Sequence, residues 1–211
     1  MKTETNLTQF NFLKDLALEL GATEAKIISA NEIVVENRVV LKCRIGCNKY
    51  GKTLMCPPYA PSVEEFRKSL NEYNYALVFK IKSQAEATPE IARMLSKKAN
   101  DPCLTLEMKE QLQNFWDSWK TDKKELLRKI VSLEKAATTK GYTLALGFTT
   151  GSCVICDECN LKERICLYPT EARYSAQAVG INVLQTLENA GMPITVPFKK
   201  NPESFGLVLL A

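Results

Sequence analysis

The sequence predicts an α/β or α+β fold, a small central sheet with flanking helices and two cysteine-rich metal-binding loops following strands. Three observations carry that prediction. Helical apolar stripes alternate with short β-branched runs, and each of two cysteine clusters follows such a run. Hydrophobic residues make up 45% and charged residues 25%, the balance of an ordered globular protein. A chain of 211 residues buries a core without covalent staples, so the cysteines are not there to rescue a small fold. The expected organisation is a single cysteine-rich metal-binding domain over residues 1–211, with a helical insertion at about 89–140.

Taken in order, Gln9 to Leu20 places Phe12, Leu13, Leu16, Ala17 and Leu20 on one helical stripe, and Gly21 suits a C-terminal cap. Ala25 to Ser29 and Ile33 to Val35 are short and β-branched. Val39 to Lys42 reads as an extended segment leading straight into Cys43. After Pro57, Pro58 and Pro61, Ser62 and Glu65 form a capping box that opens a helix from about Val63 to Tyr73. Tyr75 to Ile81 reads as a buried strand. Pro89 to Lys140 is helix-forming and interrupted at Pro102, with an amphipathic stretch from Leu104 through Leu133 that contains Trp116 and Trp119; two helices or a hairpin are expected. Thr143 to Thr149 is a second strong strand, ending at Gly151 just before the second cysteine loop. Ala176 to Ala190 carries Val179, Val183, Leu184 and Leu187 and suits one helix ended by Gly191 and Pro193, and Phe205 to Leu210 supplies a last strand. The two halves show no internal repeat beyond the shared step from strand to cysteine loop.

Net charge is +4, from 28 basic and 24 acidic residues, and the basic residues are spread out with only short pairs such as Lys97-Lys98 and Lys123-Lys124. Nucleic-acid binding is not indicated. The start MKTETNLTQF lacks the basic end and apolar core of a signal peptide, and no apolar run approaches a membrane span, so a cytoplasmic protein without a membrane partner is expected. A reducing compartment disfavours structural disulfides and favours clustered thiols as metal ligands.

Those thiols fall in two groups, Cys43-x3-Cys47-x8-Cys56 and Cys153-x2-Cys156-x2-Cys159-x6-Cys166. The chain contains no histidine. That removes imidazole-based zinc sets, histidine acid–base catalysts and Rieske centres together, and leaves all-cysteine ligation. A C-x2-C-x2-C run wraps three thiolates around one point, the geometry of a 4Fe-4S cubane, with a fourth ligand from further along. A structural four-cysteine zinc site is the alternative, although zinc more often uses two separated C-x2-C pairs. The three-cysteine group matches no widespread cluster signature, and the C-x3-C-x2-C spacing of radical chemistry is broken after Cys47. Three thiolates still hold a cubane with one iron open to a small ligand, or Cys166 crosses over to complete the set, so one or two clusters are compatible with the spacing. Cys103, behind Pro102, is read as a buried small apolar residue in preference to a ligand.

The string from Lys42-Cys43 to Cys47, then Tyr50-Gly51-Lys52 and Cys56-Pro57-Pro58, precedes the second cysteine group with Pro169, Glu171, Ala172 and Arg173, and then Ala178-Val179-Gly180-Ile181. This set resembles a family of prokaryotic cysteine-rich proteins known as predicted metal-binding proteins of unknown function. The likeness covers nearly the whole chain, with one departure, Tyr174 where a proline often follows the arginine. It implies Cys43, Cys47, Cys56, Cys153, Cys156, Cys159 and Cys166 as ligands and implies no reaction.

Around the ligands, Arg44, Lys49, Lys52, Arg164 and Arg173 are placed to balance thiolate charge or receive an anionic substrate, and Lys52 and Arg173 gain weight from the resemblance. Pro57 and Pro58 either shape the cluster loop or simply end it. Tyr50, Tyr59, Tyr168 and Tyr174 flank the loops as shields or as ordinary packing. Trp116 and Trp119 share a helical face and suit core packing or a partner surface. No phosphate loop, nucleotide fingerprint or serine elbow is present. The leading expectation is an iron-sulfur protein in electron transfer or redox chemistry with a redox partner protein. The alternatives are a cluster-dependent enzyme whose open iron binds a small anionic or sulfur-containing ligand, and a structural zinc module.

Overall fold

The computed structural model describes residues 7–95, 101–194 and 201–211. Among them, β1 (Glu24–Ser29), β2 (Tyr75–Lys82), β3 (Leu146–Thr149) and β4 (Glu203–Leu210) form one sheet in the order β1-β2-β4-β3. Every neighbouring pair is antiparallel. The central strands β2 and β4 are covered on both faces, which is why they read as continuous apolar runs instead of alternating ones. Successive side chains go to opposite layers. Ala76, Val78, Leu207 and Leu209 join Phe66, Leu70, Val183 and Leu187 on one side, beneath α3 (Val63–Leu70) and α6 (Val183–Asn189). Leu77, Phe79, Val208 and Leu210 meet Phe10, Leu13, Leu126, Ile130 and Leu133 on the other, beneath α1 (Asn11–Glu19) and α5 (Leu106–Thr139).

Helix α5 has 34 residues, so it runs roughly 50 Å at 1.5 Å per residue. Only its carboxyl-terminal half lies on the sheet. Its amino-terminal half, through Leu112 and Phe115, packs on a separate cluster with Ala85, Ala87, Ile91 and Met94 from the segment holding α4 (Pro89–Met94). Pro102 separates α4 from α5, and the Thr105 side chain caps α5 by accepting from the Met108 N–H. The capping box at Ser62 and Glu65 is formed in both directions.

Three expectations are corrected. Val39 to Lys42 is not extended: it lies inside α2 (Asn37–Gly46), so the first cysteine loop follows a helix and only the second follows a strand. β-branched residues favour strands by packing on a pleated, half-buried surface, and this segment has no strand beside it and no buried residue. Ile33 to Val35 follows a short 3₁₀ turn, Ala30–Glu32, and Val35 makes a lone bridge to Ile181. The helix expected over Ala176 to Ala190 is split into a 3₁₀ turn, Ala176–Val179, and α6 by Gly180, whose φ is +90°. A Cβ there would meet both Val63 methyls at 2.9 Å and strain the backbone besides, so the chain turns where α3 leaves least room. Residues 1–6 and the Lys97-Lys98 pair lie outside the described residues. No helix among the described residues is long and apolar enough to cross a membrane.

Gly206 faces Phe79 across β2 and β4, and a Cβ on it would stand 2.2 Å from the ring. Gly206→Ala is therefore expected to destabilise the fold by about 1–3 kcal/mol in urea titration, as overpacking does. Leu184→Ala, at an exposed position, is expected to stay within about 0.5 kcal/mol of the parent.

Candidate metal centre

The first thiol group starts on the last turn of α2. Cys43 and Cys47 stand four residues apart on one helical face, and the Cys47 N–H closes the helix on the Cys43 carbonyl at 3.3 Å. The chain then turns back through Gly51, whose N–H donates to the Pro57 carbonyl at 2.9 Å, and this brings Cys56 inward. Cys56 is 6% exposed. Burial pushes the Cys43 thiol up, and negative charge on Cys47 and Cys56 pushes it further. Burial also raises Cys56, opposed by the Thr53 hydroxyl, the Cys153 backbone N–H and the Lys123 ammonium. The Thr53 hydroxyl is buried and completes no hydrogen bond, yet it bears on Cys56 and favours its thiolate.

The second group leaves β3 through a closed neck. The Thr149 N–H donates to the Tyr174 carbonyl at 3.0 Å, Thr149 pairs with Ser175, and the Ser175 N–H reaches the Met55 carbonyl at 3.3 Å in the first loop. Within the loop, the Cys153 thiol is raised by burial and then by the charges of Cys156, Cys166 and Cys159. Cys156 is raised by partial burial and by Cys159, Cys166 and Asp157. Cys166 lies near Cys153 and Cys156 of its own group. Contact between the loops runs through Cys159, whose Sγ accepts the Leu54 N–H at 3.4 Å, and through the Cys153 backbone on Cys56. Arg164 lies over the Tyr59 ring at 6.0 Å and adds a further bridge.

This donor set suits a soft metal. Within each group the thiols repel one another once ionised, an N–H donor already points at sulfur, and the Thr53 hydroxyl is buried without a hydrogen-bond partner. The ligand shell itself is not closed: among the described residues no three cysteine, aspartate or glutamate groups converge on a point that would hold an ion.

Of the basic residues picked out by sequence, Lys49 and Lys52 line a cleft of about 300 Å³ with Cys153, Cys156 and Cys159. Arg173 does not serve the thiols. Its Nε donates to the Glu134 carboxylate at 2.6 Å, its Nη2 takes the other oxygen, and the Gly147 N–H joins the same carboxylate. Cys103 is exposed on the turn before α5, so it is no core filler. Tyr174 packs on the core, while Tyr168 is exposed. Sequence reading missed Lys123. Part of its stem is exposed, but its ammonium end is pressed onto Gly151 and reaches the Thr150 carbonyl at 3.4 Å. Burial lowers its pKa to about 8 despite the opposing pull of Cys56 and Cys47. The only sequence signal was Gly151 itself, where a Cβ would meet the Lys123 nitrogen at 1.8 Å.

Fold and site together define a cysteine-rich mixed α/β protein with two thiol groups set loop against loop. The chain belongs to the family described as Predicted metal-binding protein (DUF2284), whose profile matches residues 26–210. The match begins inside β1, ends with β4 and includes both thiol groups. No curated protein and no solved structure matches the chain.

Arg173→Met leaves the Glu134 carboxylate buried without its cation and is expected to destabilise the protein by about 3–5 kcal/mol in urea titration. Adding Glu134→Leu should recover part of that loss, because the uncompensated charge goes with it.

Proposed function

We propose that the chain binds an iron-sulfur cluster, of the 4Fe-4S type, on Cys153, Cys156, Cys159 and Cys166, and works in electron transfer or redox chemistry in the cytoplasm with a redox partner protein. The observation that carries this reading is the placement of four cysteines on one short loop whose neck is closed at Thr149, Tyr174 and Ser175, with the Leu54 N–H of the first loop on the Cys159 sulfur. When bound, such a cluster supplies one-electron chemistry at a potential set by burial and by hydrogen bonds to sulfur. The chain's part is to hold the loop at its neck, to cover Cys153 and Cys56, and to aim backbone N–H groups at Cys56, Cys153 and Cys159.

A second reading has its own support. Cys43, Cys47 and Cys56 offer three thiols without a fourth beside them in their loop, a set that leaves one iron open to a small anionic or sulfur-containing ligand. Lys49 and Lys52, which follow Cys47 in the same loop, are the basic side chains nearest in sequence to this set, and the cleft they line beside the second group holds Asp157 and Glu158 as well. Zinc on the second group is the structural alternative.

Anaerobic purification with iron, acid-labile sulfide and zinc analysis decides among these. About four irons and four sulfides per chain are expected for one cubane, and about eight of each for two. One or two zincs without sulfide would sink the iron-sulfur reading. Cys156→Ala should lose the metal, and Cys103→Ala should retain it in full.

A further inference from the structure

The amino-terminal half of α5 and the two cysteine loops enclose a second, half-open cleft of about 560 Å³. That is within the size range of small-molecule sites. Its α5 wall is aromatic: Trp116 is 46% exposed, and Trp119 stacks on buried Phe115 with ring centroids 6.1 Å apart and planes at 14°. Phe115 also meets the Trp116 ring edge-on at 5.3 Å, so both indoles are held by a residue of the core. Large apolar side chains left at the mouth of a cleft and braced from behind mark a binding wall.

The charge in the cleft is mostly positive. Lys49, Lys120 and Lys123 line it, opposed by Asp157, which pairs with Lys120 at 3.2 Å. The Lys123 nitrogen stands 5.6 Å from the Trp119 ring centroid, fixed there by Gly151 and the Thr150 carbonyl, so cation and aromatic face share one end. Cys153 and Cys156 form the far wall.

We propose that this cleft binds a small organic anion with a flat aromatic part, its ring on Trp116 and Trp119 and its carboxylate toward Lys123 and Lys49. Such a ligand would lie against the second thiol group. This names what sits beside the metal in the reading above and deepens it, while the binding itself rests on the cleft walls alone.

Trp116 and Trp119 are the chain's two tryptophans, so fluorescence excited selectively at tryptophan, beyond the absorption of the seven tyrosines, reports on this cleft. The purified full chain, with its metal content measured, is titrated with benzoate, phenylacetate and nicotinate, each followed by fluorescence and by calorimetry. Benzamide and inorganic phosphate serve as controls. The expected result is saturable binding of at least one of the three carboxylates, weakened about tenfold or more for the neutral amide and again in Trp116→Ala and Lys123→Met. Absence of saturable binding by all three, binding unchanged in Trp116→Ala, or phosphate binding as tightly as the carboxylates would each overturn the proposal. The two readings fail separately: iron and sulfide present without ligand binding overturns this inference alone, and binding by a protein free of iron and sulfide overturns the cluster reading alone. Circular dichroism of both variants shows whether either has lost its fold, and in that case Lys49→Met and Lys120→Met carry the same comparison.

Discussion

The metal side of the molecule depends on one buried carboxylate. Glu134 is 7% exposed on α5 and gathers the Arg173 guanidinium and the Gly147 N–H. Three elements far apart in sequence therefore meet at one point: the long helix, strand β3 and the segment returning from the second cysteine loop. A buried charge is tolerated only when paired and hydrogen-bonded, so none of the three can shift without exposing a large desolvation penalty. Gly147 is part of the same constraint, since a Cβ there would stand 2.2 Å from the Ile130 side chain. The loop bearing four thiols is thereby fixed at both ends, although most of its own side chains are partly open to solvent.

The two thiol groups are supported unequally. The second is anchored by the neck at Thr149, Tyr174 and Ser175, which also reaches Met55. The first begins on α2, a helix with no buried residue, where Leu41 and Ile45 are exposed. Cys56 alone of that group is deeply placed, held by turns at Thr53 and by the Gly51 to Pro57 hydrogen bond. Segments with few buried apolar contacts open most readily, so Cys43 and Cys47 belong to the mobile end of the site and Cys56 to the fixed end.

Much of this was legible in sequence. The capping box at Ser62 and Glu65, the break at Pro102 and the strands near Tyr75 and Phe205 followed from local chemistry that needs no distant partner. The spacing of Cys153, Cys156, Cys159 and Cys166 placed four thiols on one loop. What failed was local preference that a neighbour decides. Val39 to Lys42 has the composition of a strand and no strand to pair with, and the stripe from Ala176 to Ala190 is interrupted where Gly180 passes Val63. Arg173 was singled out as a balance for thiolate charge, whereas its partner lies on a helix whose periodicity marks Glu134 only as one more polar residue. Lys123 and the tryptophans looked like a solvated pair and a packed face, because the cleft they line is assembled from three separate segments.

The strand order carries a consequence for assembly. Among the described residues β3 has β4 as its only sheet neighbour, and β4 follows it in the chain after the second cysteine loop and α6. Until Glu203–Leu210 slots between β2 and β3, nothing in the sheet holds the root of the second loop. Strand β4 is thus the splice of the sheet: it joins the β1-β2 pair to β3, which share no other strand pairing among the described residues, and so ties the root of the second loop into the core.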